Sequence, residues 1–84
     1  MDSLKVLVVD DEEDFLDTLV TRLEKRTINA VGVRSGEEAV ELMEKKLFDV
    51  VLLDVKMPGG IDGIETLRRI KQIQPLVEVI LLTG

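Results

Sequence analysis

Apolar positions along the chain alternate between short continuous runs and stripes with helical spacing. The continuous runs cover residues 4–9, 28–33, 50–53 and 77–82 and predict strands, and the first run is typical of a central strand that is covered on both faces. The stripes between them predict three helices, so the element order is β-α-β-α-β-α-β. Strands joined by single helices form a parallel sheet through right-handed crossovers. Asn29 and Gly32 weaken the second run, which favours an edge position for that strand.

Local signals predict where the helices begin and end. Asp11 can act as the N-cap of the first helix, and Ser35 and Asp62 each precede a glutamate by three residues, the spacing of a capping box. Pro75 stops the third helix. The side chains predicted to face the sheet are Phe15, Leu16, Leu19, Val20 and Leu23 in the first helix, Ala39, Val40, Met43 and Leu47 in the second, and Ile64, Leu67, Ile70 and Ile73 in the third.

Polar residues follow three of the four apolar runs directly. Asp10 and Asp11 come after the first run, Asp54 after the third and Thr83 after the fourth. The carboxyl ends of parallel strands lie at the same edge of the sheet, which is the usual ligand site in open α/β sheets. We therefore expect these four side chains to converge there.

Composition narrows the chemistry that this edge can perform. The 84 residues form one domain and include neither cysteine nor histidine, which excludes disulfides, thiolate metal sites and imidazole catalysis. A net charge of −6 disfavours a nucleic-acid or anionic-membrane surface as the main partner. The first apolar run is too short for a signal peptide or a membrane span, so a soluble protein is expected, and the lack of cysteine favours the cytoplasm.

Clustered carboxylates repel one another unless a proton or a cation separates them, and Mg²⁺ suits an oxygen-only donor set. A free oxygen of Asp54 could then attack phosphorus, with the Thr83 hydroxyl helping to neutralise the phosphoryl oxygens. The simpler interpretation is that acids at a helix start only cap it or complement its dipole. That interpretation suffices for Asp11, for Asp62 and for residues 12–14. It explains Asp10 and Asp54 less well, because Asp10 ends a strand and Asp54 precedes a loop.

Four segments together resemble the receiver domain of bacterial two-component response regulators. They are Val8-Val9-Asp10-Asp11-Glu12, Leu52-Leu53-Asp54-Val55-Lys56-Met57-Pro58-Gly59, Asp62-Gly63 and Leu81-Leu82-Thr83-Gly84. The resemblance implies a flavodoxin-like three-layer α/β sandwich with parallel sheet order 2-1-3-4. It also implies that a sensor histidine kinase phosphorylates Asp54. By the same resemblance, Asp10, Asp11, Asp54 and the backbone carbonyl of Lys56 bind Mg²⁺, Thr83 is the switch hydroxyl and Gly84 its small neighbour.

The sequence departs from the family pattern in two places. Gly59, Gly60 and Ile61 separate Pro58 from Asp62, one residue more than is common, so a longer loop beside an intact site is expected. The family's fourth helix, fifth strand and fifth helix, with the lysine that pairs with the phosphoryl group, have no counterpart in residues 1–84. We therefore expect a single, incomplete receiver domain whose fourth strand is uncovered. Such a strand favours self-association, or the chain is a piece of a longer regulator.

Three functions remain open at this point. The leading one is a phosphoacceptor signalling module, which is not an enzyme beyond its own phosphorylation and dephosphorylation. The second is a binding or self-associating module without competent phosphorylation, which the missing lysine favours. The third is a magnesium-dependent phosphatase with an aspartyl intermediate, but such enzymes usually need Asp-x-Asp after the first strand, whereas Asp10 and Asp11 are adjacent. No glycine-rich phosphate loop supports an ATPase.

Overall fold

Seven elements follow one another in the order that the apolar pattern predicts. The computed structural model describes residues 4–57 and 59–82, so Pro58, Thr83 and Gly84 lie outside the described residues. The strands are β1 (Lys5–Val9), β2 (Asn29–Val33), β3 (Val50–Asp54) and β4 (Glu78–Leu82), and the helices are α1 (Glu13–Lys25), α2 (Gly36–Met43) and α3 (Gly63–Ile73). Each differs from its predicted range by a few residues at most.

The four strands form one parallel sheet with the order β2-β1-β3-β4, as predicted. β1 pairs with β2 from Lys5 opposite Asn29, and β3 pairs with β4 as far as Asp54 opposite Leu82. β2 therefore lies at an edge, which confirms the prediction made from Asn29 and Gly32. β1 and β3 lie side by side at the centre, so their carboxyl ends are neighbours.

Helices cover both faces of the sheet, which gives the predicted three-layer sandwich. On one face, Val6 and Val8 of β1 pack with Leu16 of α1. On the other face, alternate residues of β1 and β3 pack with α2 and α3. This larger core consists of Leu7, Val9, Ala39, Met43, Phe48, Val51, Leu53, Met57, Ile70 and Val77. Because successive side chains of a strand point to opposite faces of the sheet, neighbouring residues pack in different cores.

The helix starts confirm two predicted caps and correct the third. The Ser35 hydroxyl accepts a hydrogen bond from the Glu38 amide at 3.1 Å, and Asp62 Oδ1 accepts one from the Glu65 amide at 2.8 Å. The prediction that Asp11 caps α1 is wrong, since Glu12 occupies the N-cap position and provides no side-chain cap. Asp10 Oδ1 accepts the Glu12 amide instead, which satisfies one backbone donor ahead of the helix.

Three side chains predicted to face the sheet are exposed instead. Phe15 is 43% exposed because it lies at the carboxyl edge of the sheet, where it lines a depression. Leu47 is 77% exposed because α2 ends at Met43, and Phe48 fills the core in its place. Ile64 is 58% exposed because Gly63 and the fully buried Thr66 form the inner face of the first turn of α3.

β4 carries apolar side chains that the described residues leave partly uncovered. Ile80 is 51% exposed and Leu81 is 40% exposed. Within residues 4–57 and 59–82 this strand has one hydrogen-bonded neighbour, β3. In the same part of the chain, no helix combines the length and apolar character that crossing a membrane requires.

Candidate functional site

Three carboxylates meet at the carboxyl edge of the sheet. Asp10 and Asp11 follow β1 directly, and Asp54 is the last residue of the neighbouring β3. One oxygen from each of the three side chains lies within 4.8 Å of the others. The prediction that these residues converge is therefore confirmed. The predicted fourth member, Thr83, lies outside the described residues.

Backbone hydrogen bonds hold two of the carboxylates in place. The Asp10 amide donates to the Val33 carbonyl at 3.1 Å, which extends the β1–β2 pairing to the site. Asp10 Oδ1 accepts the Glu12 amide at 2.8 Å, and Asp54 Oδ1 accepts the Lys56 amide at 3.0 Å. Each of these hydrogen bonds closes a turn that leads the chain out of its strand. The second carboxylate oxygen of each aspartate remains available to bind a ligand.

The electrostatics of the cluster disfavour three free negative charges. Asp10 is only 7% exposed. Its burial raises the pKa of that carboxyl above the ordinary value, and the hydrogen bond from the Glu12 amide opposes this effect. The charges of Asp54 and Asp11 raise the Asp10 pKa further. A divalent cation among the three groups would remove this repulsion.

The carboxylates open onto a depression of about 580 Å³. Its lining combines acidic and apolar side chains with one basic residue, Lys56. The residues that line it are Asp10, Asp11, Glu12, Phe15, Asp54, Lys56, Leu81 and Leu82. The depression is large enough for a hydrated cation together with a phosphoryl-sized group.

Tight packing beneath the site involves glycines whose roles the sequence did not reveal. A methyl group on Gly63, the first residue of α3, would lie 2.7 Å from the Val55 Cα and 2.8 Å from the Asp54 carbonyl oxygen. A methyl group on Gly36, the first residue of α2, would overlap the Thr66 hydroxyl. The sequence predicts Asp62 as a helix cap and the Asp62-Gly63 pair as part of a motif, but it does not show that position 63 has no room for a side chain. The Gly36–Thr66 contact joins two helices and has no sequence signal of its own.

Comparison with known proteins identifies the family. The model of the response regulator receiver domain matches residues 6–84. The chain belongs to the response regulator receiver domain family. The match covers both tandem acids, Asp54 and every strand and helix of the structure except Lys5 at the start of β1, so the resemblance seen in the sequence is confirmed.

Curated relatives are about one third identical to this receiver domain over the aligned residues. The transcriptional regulatory protein ZraR of Escherichia coli K12 is 37% identical over 83 residues, which are 99% of this chain and 19% of that protein. The sporulation initiation phosphotransferase F of Bacillus subtilis is 37% identical over 80 residues, or 95% of this chain and 64% of that protein. The chain thus spans less than two thirds of the length of these relatives.

Solved structures show the same CheY-like flavodoxin fold. A receiver domain protein from Methanospirillum hungatei superposes with a TM-score of 0.94 at 26% identity, over 99% of this chain and 66% of that chain. A response regulator from Burkholderia pseudomallei superposes with a TM-score of 0.90 at 28% identity, over 98% of this chain and 48% of that chain. The latter structure contains a phosphorylated aspartic acid, a calcium ion and citrate.

Proposed function

We propose that this receiver domain is a phosphoacceptor whose Asp54 takes a phosphoryl group from a sensor histidine kinase in the cytoplasm. The observation that carries the proposal is the approach of Asp10, Asp11 and Asp54 to within 4.8 Å at the end of two adjacent strands. The Burkholderia response regulator supports it, because that structure holds both a phosphorylated aspartic acid and a divalent cation. The name of the Bacillus phosphotransferase is consistent with phosphoryl transfer in this family.

The donor set fits Mg²⁺, since hard divalent cations prefer carboxylate, carbonyl and water oxygens. Asp10, Asp11 and Asp54 would bind the cation together with the backbone carbonyl of Lys56, which follows Asp54 by two residues. A bound cation would neutralise charge on the equatorial oxygens of the phosphoryl group. The raised pKa of Asp10 agrees with this role, because the same burial and repulsion favour cation binding.

The proposed transfer changes one bond at each side of the phosphorus. A carboxylate oxygen of Asp54 forms a bond to phosphorus while the bond from phosphorus to the kinase imidazole nitrogen breaks. The imidazole departs with that electron pair and is neutral, because its other nitrogen keeps a proton. Asp54 needs no general base, since its carboxylate is already the nucleophile. Thr83, the residue after Leu82 in the chain, would turn its hydroxyl toward the new phosphoryl oxygens.

Phosphorylation would act as a switch and not as repeated turnover. It adds about −1.5 to −2 charges to a side chain next to two further acids. The local charge change would be read by a partner surface, while hydrolysis of the acyl phosphate would reset the site. We propose no direct contact with nucleic acid or membrane for this domain.

The test is intact-mass analysis after incubation with Mg²⁺ and a small phosphoramidate donor. The wild-type chain should gain the mass of one phosphoryl group, and the gain should be lost with Asp54→Asn or with a chelator. Asp62→Asn is the matched control, because Asp62 caps α3 outside the acidic cluster, and it should retain the modification. A wild-type chain that gains no mass would contradict the proposal.

A second candidate function is self-association through β4 without competent phosphorylation. The observation that favours it is the exposure of Ile80 and Leu81 on a strand with one described neighbour. Light scattering over a dilution series should then show a concentration-dependent mass, and Ile80→Lys should shift it toward the monomer. Leu76→Lys is the control, since Leu76 is 95% exposed but precedes the strand. A monomer at every concentration would rule out this candidate.

A further inference from the structure

Glu37 connects α2 to the loop that follows the phosphoacceptor strand. It is the second residue of α2, and it lies 17 residues before Asp54 in the chain. Its Oε2 accepts a hydrogen bond from the Ile61 amide at 2.8 Å. The neighbouring Ser35 and Glu38 bond to amides at the start of their own helix, whereas Glu37 reaches a different element.

The contact is close and electrostatically favourable. A methyl group on Gly60 would overlap the Glu37 carboxylate, so this side chain packs directly on the loop backbone. The hydrogen bond from the Ile61 amide lowers the pKa of Glu37, as do its own amide and the charge of Arg69. The carboxylate is therefore ionised at neutral pH, which strengthens its bond to the amide.

Apart from the bond to Glu37, the loop is held near its end by the Ile61 side chain, which packs beside Gly36 at the start of α2. At its start, Lys56 bonds to Asp54 and Met57 is buried in the core. Gly59 and Gly60 both have positive φ, at 78° and 58°, and a methyl group on Gly59 would meet nothing within 4 Å. Within residues 56–57 and 59–61, two hydrogen bonds reach a helix or a strand. They are the bond from the Lys56 amide to Asp54 and the bond from the Ile61 amide to Glu37. A glycine pair in open surroundings has many alternative conformations unless a contact selects one.

We propose that Glu37 is a positioning residue for the cation site, because its bond to Ile61 fixes the loop and thereby the Lys56 carbonyl. The inference rests on the proposed function, since it assigns Lys56 to the cation. Glu37 itself touches neither the acidic cluster nor the depression above it. It acts by selecting one loop conformation before the cation binds, so that less ordering is required on binding.

The test measures Mg²⁺ affinity by calorimetry for the wild-type chain, Glu37→Ala, Glu37→Gln and the control Glu41→Ala. Glu41 lies one turn along the same helix and pairs with Lys45 on the exposed surface. Glu37→Ala should weaken Mg²⁺ binding about fivefold, the size of effect expected for the loss of one ordinary hydrogen bond. Glu37→Gln should restore most of the affinity, because its amide oxygen still accepts from Ile61. Glu41→Ala should bind as the wild type does.

Amide hydrogen exchange without Mg²⁺ provides a readout that does not depend on the cation. Glu37→Ala should speed exchange at Ile61 and at Lys56, while the strands keep their protection. Equal Mg²⁺ affinity in Glu37→Ala and the wild type would overturn the inference and leave the proposed function standing. An equal loss of Mg²⁺ affinity in Glu37→Ala and Glu37→Gln would also overturn the inference, because the negative charge of Glu37 and not its hydrogen bond to Ile61 would then be the cause. A wild-type chain that binds no Mg²⁺ would overturn the proposed function together with this inference.

Discussion

Replacing Gly63 with alanine should disturb both the stability of the fold and the geometry of the acidic cluster. Gly63 begins α3 directly behind the end of β3. An added methyl carbon would lie 2.7 Å from Val55 Cα, 2.8 Å from the Asp54 carbonyl oxygen and 2.9 Å from the Val55 carbonyl oxygen. Ordinary contacts begin at about 3.4 Å, so α3 and β3 would have to separate by about 0.5–0.7 Å.

The three atoms are backbone atoms, which cannot turn away as a flexible side chain can. Overpacking of this kind costs about 1–3 kcal/mol, and the better helix propensity of alanine offsets up to about 1 kcal/mol. We expect Gly63→Ala to lower the free energy of unfolding by about 1–2 kcal/mol. Mg²⁺ affinity should also fall severalfold, because Asp54 would move relative to Asp10 and Asp11.

Urea unfolding followed by circular dichroism gives the stability, and calorimetry gives the affinity. Gly59→Ala is the matched control, since Gly59 has a φ of 78° but open space around it. Its cost is backbone strain alone, about 1–2 kcal/mol, and it should change Mg²⁺ affinity much less than Gly63→Ala. The reasoning would be refuted if Gly63→Ala were as stable as the wild type and bound Mg²⁺ equally well.

Two other predictions concern charge. Asp10→Asn removes the repulsion between Asp10 and the carboxylates of Asp11 and Asp54, whose oxygens lie within 4.8 Å. Without cations, this variant should raise the free energy of unfolding by about 1–3 kcal/mol, and it should weaken Mg²⁺ binding. Urea denaturation tests the first effect and calorimetry tests the second. Hydrogen bonds from Arg68 and Arg69 lower the pKa of Glu65 from its ordinary value of 4.5 to about 2. The stabilisation from these ion pairs should therefore be complete above pH 4.5, and it should be lost as the pH falls toward 2. An NMR titration should show Arg68→Ala raising the Glu65 pKa, and an unchanged value would contradict the assignment.

Much of the fold could be predicted because apolar periodicity reports directly on burial. The valine-rich and leucine-rich runs of β1 and β3 correspond to the two central strands, which are covered on both faces, and the position of β2 followed from the residues that weaken it. The convergence of Asp10 and Asp54 followed from parallel topology alone, since the carboxyl ends of all the strands share one edge. These features depend on neighbours in sequence or on the direction of the strands.

The features that were missed depend on contacts between distant parts of the chain. Asp10 and Asp11 are both possible caps, and only the turn after β1 decides that Asp10 bonds to the Glu12 amide. Leu47 continues the helical spacing of α2, but the helix ends one turn earlier, and this exposes it. The bond from Ile61 to Glu37 joins residues 24 positions apart and follows no periodic pattern.

The most direct test of the central claim is to locate the phosphoryl group. After incubation with phosphoramidate and Mg²⁺, borohydride reduction converts a phosphorylated aspartate into homoserine, which peptide mass spectrometry can place in the sequence. Homoserine is expected at position 54 and at no other aspartate. Homoserine at Asp10 or Asp11 with Asp54 unmodified, or no homoserine at all, would contradict it.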